Sequence, residues 1–383
     1  MSGKVLVAGA GMVPFQPLGC SASHATMAGQ SIRAALADAR IDYDLVDQVF
    51  TSCVHGGAGI AEHALSQMGY SGLPVFSLAD ACVAASSAFQ LAHNSLQCGQ
   101  AECVLVVGVE CTPPRIGERE FFGFHDDPPA PAQLDSVNGF ISQRQQPMQL
   151  FAAQNSWLSK QQGIYASSFE HVLERARTQA WLNPYAVLNR APDRDGRFAP
   201  YLCPPACGAA AILICTPAFA LRFGARADVR VLASARGSDS SSEQESDCVL
   251  DVLGRATTRR VAQQAYQQAG IGAEDIDVAE LHDQSVGDFM VNSAALGFCR
   301  EDEIHRFVQL NGPLKGQMNA VNPSGGLLGR GNAPGATGLA QLVELVWQLR
   351  NLAEGRQIVG ARTALQHSTA LGREVSVTLL QRT

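Results

Sequence analysis

The distribution of apolar positions along the chain predicts short buried strands that alternate with helices. Runs that are apolar at nearly every position predict strands at 4–10, 45–53, 74–78, 102–110, 207–216, 229–235 and 276–281, with two more near the C-terminus. Segments with helical periodicity, or with apolar and small residues on every face, predict helices at 24–37, 61–68, 83–96, 149–161, 169–181, 256–269, 286–296 and 339–349. Apolar strands that alternate with helices are typical of a mostly parallel sheet covered on both faces.

The order of these elements is similar in the two halves of the chain. Each half runs strand, helix, strand, apolar helix, strand, strand, although no direct sequence repeat is visible. Between the halves, the residues are rich in Pro, Gln and aromatic side chains, and loops this long in a compact domain are commonly functional. We therefore predict an N-terminal half formed by residues 1–112 and 206–228, a loop or cap insertion at 113–205, and a C-terminal half at 229–383.

The helix predicted at 83–96 carries almost no charge on any face, and such a helix is usually buried on all sides. Cys82 lies where the preceding turn becomes this helix. A thiol at a helix N-terminus faces unpaired backbone N–H groups and the positive end of the helix dipole, which lowers its pKa and favours the nucleophilic thiolate. The alternative is an ordinary core thiol, because free cysteines are among the most buried residues.

Composition narrows the class of protein. The 383 residues are 46% hydrophobic and 16% charged, which indicates a large layered fold or an obligate oligomer. A net charge of −7 without a basic run argues against nucleic-acid binding. The eleven cysteines form no Cys-x-x-Cys pair, so we expect reduced thiols in a cytoplasmic protein and no metal site. No signal peptide and no membrane span are expected, because neither apolar pattern occurs.

Four segments carry candidate chemistry: DACVAASSA around Cys82, AELHDQSV around His282, NPSGGLLGRGNAPGATG around Asn332, and ALQHSTALG around His367. Their order and spacing resemble the thiolase superfamily over nearly the whole chain. The resemblance is strongest to the sterol-carrier-protein-type thiolases and thiolase-like lipid-transfer proteins. The segment HVLERARTQAWLNPYA also looks like the helix that leads to an Asn-Pro-Tyr turn in the loop domain of that family.

The resemblance implies a five-layered αβαβα fold with two pseudo-symmetric halves. Two stacked sheets would have helices between and outside them, and two buried helices would lie at the centre. It also implies a homodimer formed along the edge of the N-terminal sheet. The substrates would be acyl thioesters of coenzyme A or of a carrier protein, with no permanently bound cofactor.

The family's functional positions can be compared with this chain one by one. Cys82 matches the nucleophilic cysteine, and His282 matches the histidine of the His-Asp-Cys-Phe motif, which helps hold the thioester oxygen. Gly372 matches the Gly-rich turn near the nucleophile. Two positions depart from the pattern. The motif's cysteine is replaced by Gln284, and the histidine of the Gly-His-Pro motif is replaced by Asn332.

These two departures change the expected chemistry. Asn332 cannot act as a base, but its amide can donate a hydrogen bond to an oxyanion. Claisen chemistry needs a base to remove a proton from carbon, so we expect it to be weak, whereas acyl transfer to Cys82 is less demanding. His125, in the loop segment FGFHDD, and His367 are further catalytic candidates. Alternatively, His125 is solvated and His367 forms a hydrogen bond within the core. The six remaining histidines have no motif around them and are interpreted as structural.

The leading hypothesis is an acyltransferase or condensing enzyme that forms an acyl-thioester on Cys82, with His282 and Asn332 stabilising the oxyanion. One alternative is a catalytically eroded subunit that partners another condensing-enzyme chain or a small OB-fold, zinc-ribbon protein. Another is an aldolase-type lyase that acts on coenzyme A thioesters. Relatives of that kind look as if they rely on tyrosines, and the six tyrosines of this chain lie outside the four segments.

Overall fold

The structure, a computed structural model, describes residues 4–20, 22–56, 59–69, 71–114, 116, 121, 147–189, 201–244, 246, 248–310, 320–371 and 374–383. The strands are β1 (Val5–Met12), β2 (Gln16–Pro17), β3 (Gln48–Ser52), β4 (Val75–Leu78), β5 (Cys103–Cys111), β6 (Ala206–Cys215), β7 (Val229–Ser238), β8 (Val278–Glu280), β9 (Ala320–Val321), β10 (Thr363–Thr369) and β11 (Glu374–Arg382). The helices are α1 (His24–Ala39), α2 (Ile60–Leu65), α3 (Ala84–Gln97), α4 (Pro147–Gln161), α5 (Ala166–Trp181), α6 (Pro217–Phe223), α7 (Ser241–Gln244), α8 (Val249–Val252), α9 (Arg255–Ala269), α10 (Val286–Ala295), α11 (Ile304–Leu310), α12 (Gly326–Arg330) and α13 (Pro334–Leu349).

The strands form one sheet whose two halves have the same internal order. The sheet runs β4-β3-β5-β6-β1-β7-β11-β10-β8-β9, and β2 pairs with β6. From either outer edge inward, two parallel pairings are followed by two antiparallel ones. In each half, the apolar central helix follows the edge strand, so α3 comes after β4 and α13 comes after β9. This repeat confirms the two pseudo-symmetric halves.

The prediction of a mostly parallel sheet is wrong. Within the described residues, six strand pairings are antiparallel and four are parallel. An apolar strand reports burial on both faces and carries no information about the direction of its neighbour. Only residues 370–373 separate β10 from β11, and a connection this short favours an antiparallel pair. The long insertion between β5 and β6 gives the chain room to return in either direction.

The helices and the two sheet halves stack in five layers, as predicted. α1 packs on the outer face of the N-terminal half and α9 on the outer face of the C-terminal half. α3 and α13 lie between the halves, and α13 contacts strands of both. The two halves are not separate sheets, because β1 pairs with β7 at Val5–Val231 and Leu6–Arg230. The proposed division at residues 112, 205 and 228 stays a prediction.

Glycines allow α13 to approach the N-terminal half closely. A Cβ on Gly108 would lie 2.5 Å from the carbonyl oxygen of Gly335, and a Cβ on Gly338 would lie 2.4 Å from Ser86 Oγ. The helix therefore begins at Pro334, five residues earlier than predicted, because these glycines serve close packing and not a loop. None of the helices in the described residues is long and apolar enough to cross a bilayer.

Candidate active site

Cys82 lies in the tight turn that joins β4 to α3. The preceding residue, Ala81, has a φ of +41°, a left-handed value that is strained for a residue with a Cβ. Asp80 holds this turn, because it accepts a hydrogen bond from Ser87 Oγ at 2.8 Å and forms an ion pair with Arg236. Strained backbone of this kind clusters at active sites, and here it orients the Cys82 thiol.

The resting Cys82 is a neutral thiol. Burial raises the pKa of Cys82 to about 12, although the neighbouring amides of Asn332 and Gln284 lower it; the charge of Glu110 raises it further. The prediction that the helix N-terminus lowers this pKa is therefore wrong. Cys82 is only 1% exposed, and the cost of desolvating a thiolate exceeds the benefit of the helix dipole and the two amides.

Two side-chain amides flank the sulfur. Gln284 Nε2 donates to Cys82 Sγ at 3.4 Å. The Asn332 amide faces the same thiol, while Asn332 Oδ1 accepts a hydrogen bond from Thr337 Oγ1 at 3.0 Å. Asn332 Nδ2 is buried and makes no hydrogen bond of normal length in the described part of the chain. A buried donor without a partner requires an explanation, and a substrate oxygen would satisfy it.

The segment that enters β6 fixes the positions of both amides. Leu202 forms an isolated bridge with Ser285, and Pro205 forms one with Asn332. Cys203 N donates to the Gln284 carbonyl oxygen at 2.8 Å, so the Cys203 thiol is held between the two amide-bearing segments. Burial, with smaller contributions from the charges of Asp283 and Cys82, raises the pKa of Cys203 well above its usual value.

His282 follows β8 and is fully buried. Burial, followed by the charges of His367 and Arg330, lowers the pKa of His282 to about 3, so its imidazole is neutral. Neither ring nitrogen has a hydrogen-bond partner among the described residues, and no hydrogen bond there joins His282 to Cys82. A neutral imidazole has one N–H donor, which is available to a bound thioester.

His367 lies beside His282. Its Nδ1 accepts a hydrogen bond from the backbone N of His282 at 3.3 Å, which leaves the proton on Nε2, 3.3 Å from Thr258 Oγ1. Burial lowers the pKa of His367 to about 3. Both ring nitrogens are thus engaged within the core, so His367 positions His282.

Asp283 secures the Gly-rich segment that precedes Asn332. Its Oδ1 accepts a hydrogen bond from Leu327 N at 2.7 Å, and a Cβ on Gly326 would lie 2.3 Å from Oδ2. Asn322 Oδ1 accepts from Leu281 N at 2.8 Å and ties the same segment to the end of β8. The second residue of the His-Asp pair is therefore structural here.

Two predicted site residues, His125 and Gly372, lie outside the described residues. Conversely, the structure adds Gln284 and Cys203 to the site. Gln284 could have been found from its place in the His-Asp motif, whereas Cys203 has no motif around it. A surface cleft lined by Lys4, Arg230 and Arg362 lies where β10 begins and β11 ends. None of the described candidate site residues lines this cleft.

The neutral state of Cys82 predicts how its alkylation depends on pH. The thiolate is the reactive form, so with a pKa of about 12 the alkylation rate should rise about tenfold per pH unit from pH 7 to pH 10 without levelling off. Peptide mass spectrometry after timed iodoacetamide treatment measures this rate, and the exposed Cys98 serves as the accessible reference thiol. A plateau at or below pH 8 would contradict a neutral resting thiol.

Comparison with known proteins places the chain in a family. Residues 5–113 match the family model for the thiolase N-terminal domain, and residues 238–382 match the model described as thiolase C-terminal domain-like. Sterol carrier protein 2 of Oryctolagus cuniculus is 31% identical over 395 aligned positions, which cover 98% of this chain and 71% of the relative. The benzoylsuccinyl-CoA thiolase subunit BbsB of Thauera aromatica is 26% identical, over 86% of this chain and 85% of that protein.

Solved structures show the same fold. The structure named Ltp2-ChsH2(DUF35) aldolase matches with a TM-score of 0.78 and 22% identity, over 99% of this chain and 98% of that chain. Acetyl-CoA acetyltransferase from Syntrophomonas wolfei matches with a TM-score of 0.73 and 17% identity over the full length of both chains. Both halves match thiolase models, and 98% of this chain aligns with a relative at 31% identity, so the chain belongs to the thiolase superfamily.

Proposed function

We propose that this protein is an acyltransferase that acts on acyl thioesters of coenzyme A through a covalent intermediate on Cys82. The observation that carries the proposal is the pair of amides, Gln284 Nε2 and Asn332 Nδ2, that converge on a buried thiol in a strained turn. Relatives named for coenzyme A thioesters support this substrate class. They include the BbsB subunit and the acetyl-CoA acetyltransferase of Methanocaldococcus jannaschii, which is 27% identical over 79% of this chain and 76% of that protein.

The proposed acylation step is a balanced exchange of thioesters. Cys82 Sγ attacks the thioester carbonyl carbon, the bond from that carbon to the sulfur of coenzyme A breaks, and the proton of the Cys82 thiol ends on the released coenzyme A. Negative charge develops on the carbonyl oxygen during the attack. Asn332 Nδ2 and the N–H of neutral His282, two buried donors that have no hydrogen-bond partner among the described residues, would stabilise this oxyanion.

The same groups favour acyl transfer over carbon–carbon condensation. Condensation requires a base that removes a proton from an α-carbon. Asn332 has no basic atom, and burial keeps the pKa of His282 near 3, so it is a poor proton acceptor. Thioester exchange needs no proton removal from carbon and is compatible with a site of neutral donors.

The proposal is tested by incubation of the full chain with acetyl-CoA or octanoyl-CoA, followed by intact-mass and peptide mass spectrometry. We expect one acyl group per chain, located on Cys82. The heat-denatured chain is the control for chemical acylation of exposed thiols such as Cys98. Absence of an adduct on Cys82 with either thioester, or equal labelling of Cys98, would contradict covalent catalysis.

A subunit role within a hetero-complex is the second candidate, and it is favoured by the replacement of two family residues by Gln284 and Asn332. BbsB is itself named a subunit, and the fold-level neighbour is named Ltp2-ChsH2(DUF35) aldolase, a designation that joins two names. A homodimer along β4 is also proposed, because this edge strand exposes 46% of Phe76, which stacks on Phe50. Light scattering of the protein purified from its native host distinguishes a homodimer from an assembly with a second chain.

A further inference from the structure

A second cluster of reactive side chains, which does not include Cys82, lies where α1, β3 and β5 approach the start of the central helix α13. His24 is the first residue of α1, Cys53 follows β3, and Glu110 lies in β5. One ligand atom of each residue lies within 4.8 Å of those of the other two. The residues are far apart in sequence and form no spaced motif, which is why the sequence predicted no metal site.

Glu110 is the fixed member of the cluster. Its carboxylate is fully buried and accepts hydrogen bonds from the backbone N–H groups of Val54 (3.0 Å), His55 (3.1 Å) and Gly335 (3.0 Å). No Lys or Arg side chain forms an ion pair with Glu110 in the described ranges. Burial of a charged carboxylate without a cationic partner costs free energy, so a bound cation would stabilise Glu110.

His24 and Cys53 supply the ligand atoms that a cation would need. The imidazole of His24 is a ligand that metals take in its neutral form. His24 Nε2 is buried and has no hydrogen-bond partner among the residues described. Cys53 Sγ lies 3.9 Å from Glu110 Oε1.

The backbone of Gly56 lies close to Cys53 Sγ and His24 Nε2. A Cβ at this position would lie 2.5 Å from Cys53 Sγ and 3.0 Å from His24 Nε2, so only glycine fits without displacing a ligand. The thiol and the imidazole therefore both lie close to the backbone of Gly56.

We propose that His24, Cys53 and Glu110 bind one Zn²⁺ ion. Nitrogen, sulfur and carboxylate oxygen are the ligand atoms that Zn²⁺ takes in proteins, and three protein ligands leave a fourth position for water or another donor. A thiolate and a carboxylate balance the two charges of the ion, which suits a buried site. Tetrahedral Zn²⁺ places its ligand atoms roughly 3.5 Å apart, so small side-chain rotations from the present spacing complete the site.

A competing site exists nearby and must be separated from this one. Cys20, Cys111 and Cys207 also have their sulfur atoms within 4.8 Å of one another, and Cys111 faces Cys207 across β5 and β6. Three thiolates would place three negative charges around a divalent ion. Cys53 and Cys207 are therefore the matched pair for the test, because each variant removes one thiol from one cluster.

The experiment uses the full chain, stripped with a chelator and dialysed against Zn²⁺ or Co²⁺, with bound metal counted by elemental mass spectrometry. Wild type and Cys207→Ala should each bind about one ion per chain, whereas His24→Ala and Cys53→Ala should bind at least about tenfold more weakly. Co²⁺ should give a thiolate charge-transfer absorption in wild type that is lost in Cys53→Ala. Circular dichroism checks folding, and His24→Ala, which removes a half-buried side chain, keeps the test decisive if Cys53→Ala is unstable.

Proton release provides an independent readout. The proposed site should release about one proton per metal ion near pH 7, from the Cys53 thiol, whereas a three-cysteine site should release about three. Calorimetry in buffers of different ionisation enthalpy measures this number. Loss of binding in Cys207→Ala with retention in His24→Ala and Cys53→Ala would overturn the proposal, and so would the absence of metal binding by wild type.

Discussion

A Cys82→Ser variant should form no acyl-enzyme and should lose acyl transfer by a factor on the order of 10³ or more, because serine replaces the thiol that is the nucleophile in the proposed mechanism. The strained turn at Ala81 and the amide of Gln284 fix the position of the Cys82 sulfur. A serine hydroxyl at the same position is a far weaker nucleophile than a thiol when no base is present. Acyl transfer is measured as the release of coenzyme A thiol, and the acyl-enzyme is measured by mass spectrometry.

Two other cysteines serve as controls for this variant. Cys215→Ser is the same substitution at a fully buried position in β6, and it should retain the acyl adduct on Cys82 if the protein folds. Cys203→Ala removes the other thiol held between the amide-bearing segments. An adduct that persists in Cys82→Ser and disappears in Cys203→Ala would make Cys203 the nucleophile and reject the proposed role of Cys82.

Much of the fold was predictable because burial leaves a periodic trace in the sequence. The apolar run at 83–96 became Ala84–Gln97, and the run at 102–110 became Cys103–Cys111. Strand direction was not predictable in the same way, since apolar composition is the same for a parallel and an antiparallel neighbour. The start of α13 was misplaced because Gly335 and Gly338 have the composition of a loop but serve close helix packing.

The candidate site was predictable to the extent that motifs carry it. The segments around Cys82, Gln284 and Asn332 do converge. The pKa of Cys82 was predicted in the wrong direction, because helix position can be read from the sequence but complete desolvation is a tertiary property. Cys203 and the His24 cluster were missed for a related reason, since their neighbours come from distant parts of the chain.

Asn332 should act mainly in the transition state of acyl transfer. Its Oδ1 is held by Thr337, and its Nδ2 is buried near Cys82 without a hydrogen-bond partner in the described residues. A donor held in this way costs little to reorganise when negative charge develops on the thioester oxygen. It also faces the resting thiol and lowers the pKa of Cys82, so the two roles must be separated experimentally.

We therefore expect Asn332→Ala to lower kcat for acyl transfer by a factor of about 10²–10³, the usual effect of removing one oxyanion donor. The rate of iodoacetamide alkylation at Cys82 should decrease by a factor that is at least about tenfold smaller. Alkylation of a thiol by iodoacetamide displaces iodide and develops no oxyanion, so it reports the thiolate population alone. Gln284→Ala is the matched amide deletion. Gln284 already hydrogen-bonds the resting sulfur, so its loss should slow alkylation and acyl transfer to similar extents. Equal losses in both reactions for Asn332→Ala would show that Asn332 only tunes the thiol, and the proposed oxyanion hole would then have to be abandoned.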